Sequence, residues 1–83
     1  MIQFTSHDMA QHRADRLKKA LRIAIQIAGI TDEQADLLIL GLRDQKGALL
    51  VQWRIEPSDQ QKRAFEAAWE LCGEKSVQHA IGE

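Results

Sequence analysis

The stretch from Leu37 to Ile55, LLILGLRDQKGALLVQWRI, constrains this chain more than any other, because it gathers most of its strand-forming residues around one turn signal. Asp44-Gln45-Lys46-Gly47 fits a type I turn closed by a left-handed glycine, with Asp first and Gly fourth. A three-residue hairpin of this kind makes the glycine a G1 bulge and sets Asp44 opposite Ala48. Leu42 then faces Leu50, Gly41 faces Val51, Ile39 faces Trp53 and Leu37 faces Ile55. Alternation places Leu37, Ile39, Gly41, Leu49, Val51, Trp53 and Ile55 on one side of the ribbon. The other side carries Leu38, Leu40, Leu42 and Leu50, diluted by Gln52 and Arg54. Both sides are apolar, so the ribbon is expected to be covered twice. Gly41, opposite Val51 and diagonal to Trp53, leaves room for the indole to lie across the strands.

A competing reading takes Thr31-Asp32-Glu33-Gln34 as a capping box and Ala35, Leu38, Ile39 and Leu42 as one helical face. Residues 32–43 would then be a short helix and 48–55 a lone strand. The hairpin is the reading adopted.

Helical patterns flank it. Ile2 and Phe4 alternate with polar residues near the N-terminus, as a short strand or an arm. Ser6 is placed to cap a helix over 7–28 that stops at Gly29. From Leu17 onward its apolar arc, widened by Ile23, Ile25 and Ile27, spans roughly 200°, against an ordinary stripe of about 100°. After Pro57, Ser58-Asp59-Gln60-Gln61 is a second capping box, and Ala64, Phe65, Ala68, Trp69, Leu71 and Cys72 line one face of a helix over 59–72. Gly73 ends it. Val77, Ala80 and Ile81 suggest a last helical turn in the tail. The fold class is therefore α+β: a single small domain over 1–83, ordered helix–β-hairpin–helix (αββα), its helices packed on a two-stranded antiparallel ribbon.

Eighty-three residues give a core worth only a few kcal/mol, and with Cys72 alone there is no disulfide to reinforce it. A single cysteine, no apolar span and no signal-peptide layout point to a cytoplasmic protein without a membrane partner. Oligomerisation is the remaining source of stability. The surplus apolar surface assigns a homodimer contact to Ile23, Ile25, Ile27, Leu38 and Leu40, with Ile23 and Ile27 forming a ridge that can repeat across a two-fold axis.

Chemistry is sparse. His7, His12 and His79 lack HxxxH or CxxC company and read as solvent-exposed, so neither a catalytic nor a metal site is expected. No GxGxxG or GKS/GKT occurs, and no cofactor is implied. Cys72, on an apolar helix face, reads as a small hydrophobe. Residues 1–30 hold five Lys/Arg against two acids, and the rest six against ten. The basic arc of the first helix, His12, Lys18, Lys19 and Arg22 with Arg13 and Arg16 nearby, is the most function-like feature, although Asp15 interrupts it. Two readings follow. The first is a non-enzymatic protein-binding module, a small homo-oligomeric regulator or inhibitor with an unidentified protein partner. The alternative is a nucleic-acid-binding accessory protein that uses Lys18, Lys19 and Arg22 on phosphates.

Overall fold

The computed structural model describes residues 2–6, 11–45, 48–74 and 76–82. In chain order the elements are β1 (Gln3–Ser6), α1 (Gln11–Ala28), α2 (Asp32–Leu38), β2 (Ile39–Gln45), β3 (Ala48–Trp53), α3 (Asp59–Leu71) and β4 (Ser76–Ile81). The strands form one sheet in the order β1-β2-β3-β4. Its outer pairs, β1/β2 and β3/β4, are parallel, and the central pair β2/β3 is antiparallel. The α+β class holds, but the αββα arrangement on a two-stranded ribbon does not. The ends of the chain add a strand at each edge, with Ser6 the last residue of β1; residues 7–10, where the helix capped by Ser6 was expected to begin, lie outside the described residues.

Both capping boxes form. The Thr31 hydroxyl accepts from the Gln34 N–H at 3.1 Å, and the Gln34 side chain accepts from the Thr31 N–H at 2.9 Å. Ser58 and Gln61 repeat the exchange at 3.2 and 2.9 Å. Residues 32–43 satisfy half of each competing reading. Helix runs through Leu38, the Ile39 N–H closes it on the Ala35 carbonyl, and Ile39 turns extended to begin β2. Leu37 and Leu38 are thus helical, not the start of the hairpin.

The hairpin register also differs from expectation. Gln45 pairs with Ala48, Asp44 with Leu49 and Leu42 with Val51, so the strands close around two residues rather than three. Those two, Lys46 and Gly47, lie outside the described residues, and with them the expected left-handed glycine. A one-residue slip moves side chains to the opposite face, and here it carries Leu42 onto the face of Val51 and Trp53. A bulge between Ile39 and Gly41 then restores Ile39 opposite Trp53. Ile39, Leu42, Leu49, Val51 and Trp53 are all buried as a result. Asp44, expected in the turn, is instead a buried strand residue on that same face. Gly41 now sits opposite Gln52 and serves β1 rather than the indole: a Cβ there would lie 3.0 Å from the Gln3 carbonyl oxygen.

One core joins the helices to one face of the sheet. Leu17, Ala20 and Ala24 of α1 are buried with Ala64, Phe65, Ala68 and Trp69 of α3. Alanines on the facing helices let the two axes approach closely. Beneath α3 the Trp53 ring meets Phe65 edge-on, 5.3 Å between centroids at 85°. Helix α1 ends at Gly29, whose φ of +70° suits the left-handed stop.

The topology leaves the second face bare. The first crossover runs from edge strand β1 to central β2, and the second from central β3 to edge β4. With α1 and α3 packed together on one face, the two crossovers have opposite hands, so one of them is left-handed, against a strong right-handed preference. Two right-handed crossovers would have put one helix on each face.

Candidate interaction surfaces

Four features remain once the core is accounted for. The first is the uncovered face of the sheet. Leu40, Ala48, Leu50, Gln52 and Ala80 are half-buried there, ringed by exposed Gln3, Thr5, Arg43 and Gln78. The missing side chain of Gly41 leaves a shallow depression between Thr5, Arg43 and Gln52.

The second is one end of the sheet. β2 begins where β3 and β4 finish, and α1 and α2 both end near it. Among the described residues, four of the five large exposed apolar side chains therefore gather at this end: Ile27 (46 % exposed), Leu37 (73 %), Ile55 (55 %) and Ile81 (56 %). Arg54 ties the segment after β3 to α2, donating from its backbone N–H to the Leu38 carbonyl at 2.8 Å and from Nε to the Asp36 carbonyl at 3.1 Å.

The third is a polar link under α3. His79 of β4 was expected in solvent, but its side chain is only 14 % exposed. Trp53 Nε1–H donates to His79 Nδ1 at 3.0 Å, which leaves the proton of the neutral ring on Nε2. Glu66 Oε2 approaches Nε2 at 3.4 Å, the long limit of a hydrogen bond. Burial pushes the imidazole below its ordinary value of 6.5. The Glu66 carboxylate opposes that shift, and Lys62 adds to it. The trio joins β3, β4 and α3. The Nε2 atom is closed to solvent. The trio's sequence signal was the alternation in SVQHAI, which puts Val77, His79 and Ile81 on one side of a strand; helical spacing obscured it.

The fourth is the basic arc. Lys18, Lys19 and Arg22 are all exposed on α1, and Lys18 Nζ lies 5.9 Å from the Phe4 ring centroid. Arg16 is committed to Glu74 at 2.7 Å. The side chains of His12 and Arg13 lie outside the described residues, as does His7.

The five residues assigned to self-association do not share one surface. Ile25 is in the core, Ile23 and Leu38 pack against it, Ile27 is exposed at the end of α1, and Leu40 lies on the bare face. Cys72 is a free, half-buried thiol. Among the described residues no cluster of three or more His, Cys, Asp or Glu could hold a metal ion, and no helix is long and apolar enough to cross a membrane. No family model, curated protein or solved structure matches the chain.

Proposed function

We propose that this chain is a non-enzymatic protein-binding module that works as a homodimer, a small regulator or inhibitor in the cytoplasm. The observation that carries the reading is the half-covered sheet. Among the described residues one face is bare, both edges are unpaired, and four large apolar side chains gather at one end. Exposed apolar groups concentrated in this way commonly mark contact surfaces. A core this small also gains most from a second copy, because association adds to the stability of the folded state by mass action. The lone cysteine suits a reducing compartment. Sedimentation equilibrium at tens of micromolar tests the reading: a dimer is expected, and a monomer across that range overturns it.

A second reading, a nucleic-acid accessory protein, draws on the exposure of Lys18, Lys19 and Arg22 together. It requires retention on DNA or RNA that weakens steeply with salt. Replacing the three with Gln should abolish that retention while leaving stability within about 0.5 kcal/mol. No retention at low salt ends it.

A further inference from the structure

We infer that the homodimer contact is strand β4, paired antiparallel with its own copy about a two-fold axis at His79, so that two four-stranded sheets become one. The inference rests on the self-association reading and names its surface.

Strand β4 is an edge without the usual protection. Edge strands are normally blunted by charge, proline, bulges or brevity. From Ser76 to Ile81 there is no charged residue, proline or glycine, and the pairing with β3 runs unbroken over all six positions. The other edge, β1, is only four residues long.

The direction of the backbone groups fixes the register. Gly82 N–H donates to the Trp53 carbonyl at 2.8 Å, so the even residues of β4 face β3. Val77, His79 and Ile81 therefore direct their N–H and C=O groups outward. An antiparallel copy satisfies them best when His79 meets His79 of the second copy and Val77 meets Ile81, each pair exchanging two hydrogen bonds. The same register covers the half-exposed Ile81 side chain with Val77 of the second copy on the helix-bearing face.

Helix α3 supplies an independent check. Lys62, Glu66 and Glu70 recur every fourth residue along its outer flank, and Glu66 stands over His79. A two-fold axis through His79 sets α3 antiparallel to its copy with Glu66 near the centre. Lys62 of each chain then faces Glu70 of the other, twice per dimer. Glu66 meets its own copy, a repulsion that the two outer pairs offset.

The test is sedimentation equilibrium with circular dichroism on three variants of the full chain. Val77→Pro removes an outward N–H that β3 does not use and fits an edge strand; it should stay folded and become monomeric. Lys62→Glu should raise the dimer dissociation constant about tenfold, within the range of two exposed ion pairs turned repulsive. Lys62→Glu with Glu70→Lys should recover wild-type affinity, since the swap restores both pairs across the axis. These residues are eight apart on one helix, so they do not touch each other within a chain; circular dichroism melts of the two variants separate any change in their shared i,i+4 contacts with Glu66 from the change in association. A wild type that is itself monomeric refutes the self-association reading. A dimer that survives Val77→Pro, or a charge swap that fails to recover affinity, refutes the β4 interface and leaves self-association through another surface. If Val77→Pro does not fold, the charge pair decides alone.

Discussion

Replacing Trp53 with Phe tests the link between the central strands and α3. Phe retains one aromatic ring beside Phe65 and loses the indole N–H. At pH 8, where His79 is neutral, the loss has two parts. The Nδ1 atom, in a side chain only 14 % exposed, loses the Trp53 donor, which costs about 1–3 kcal/mol. The missing ring atoms leave a void of roughly 40 Å³, worth about 1 kcal/mol at the usual cavity coefficient. The expected destabilisation is therefore about 2–4 kcal/mol, a fall in Tm of at least about 10 °C for a chain of this size. Urea unfolding followed by circular dichroism, at one matched protein concentration, measures it. The pH dependence sharpens the test. Burial holds the folded His79 pKa below the unfolded value near 6.5, so the unfolded chain takes up the proton first. The contribution to stability is fully present above that unfolded value. It is lost as pH falls through the folded pKa, with a slope of at most about 1.4 kcal/mol per pH unit. Part of the penalty is steric and electrostatic: a second proton must go to Nδ1, where it would point at the Trp53 N–H. Trp53→Phe removes that opposing donor, so its stability should fall less between pH 7 and pH 5 than that of wild type. A loss under about 1 kcal/mol at pH 8, or equal acid slopes in the two proteins, would refute the reasoning.

Two further perturbations address the frame around this link. Gly41→Val should destabilise the fold by about 1–3 kcal/mol, because its Cβ meets the Gln3 carbonyl oxygen at 3.0 Å and the branched side chain cannot retreat from backbone; hydrogen exchange should show β1 loosening first, and unchanged protection of residues 3–6 would count against it. Ser58→Ala and Thr31→Ala each remove one half of a capping box and should each cost about 1 kcal/mol in urea unfolding, whereas no measurable effect from either would mean that the caps are redundant.

Signals that depend on neighbours in sequence were legible, and those that depend on distant partners were not. Thr31 and Ser58 announced their helices because a capping box is closed within four residues. The central hairpin followed from its turn and its β-branched residues. Its register did not, because the burial of Leu42 beside Val51 competes with the preference of the DQKG turn, and burial prevailed through a bulge at the other end. β1 stayed ambiguous between a strand and an arm, and β4 read as a helical turn, for a related reason. QFTS and SVQHAI are too short and too polar to declare themselves, and each becomes a strand only when a parallel neighbour is brought beside it by a helix. His79 shows the consequence for the site. Read alone it is a surface histidine; with β4 in place it is pinned between Trp53 and Glu66.

The two added strands also change what the apolar excess of α1 means. On a two-stranded ribbon an arc of roughly 200° cannot be buried within one chain. Four strands at about 4.8 Å spacing give a surface wide enough for two helices about 10 Å apart, and α1 then divides its arc between the sheet and α3. Ile25 enters the core, Ile23 packs against it, and Ile27 alone remains substantially exposed. Of the Ile23 and Ile27 ridge, Ile23 is half-buried and Ile27 still faces solvent. The unmet demand moves to the backbone, where closing the sheet on one face and with opposite crossover hands leaves two open edges. Side-chain burial can be satisfied by folding a longer stretch of chain onto the same core. The outward N–H and C=O groups of Val77, His79 and Ile81 have no strand partner among the described elements, and an added strand would pair them in place of water. On the proposed reading, the self-association argued in the sequence from surplus hydrophobic surface rests instead on unpaired strand edges.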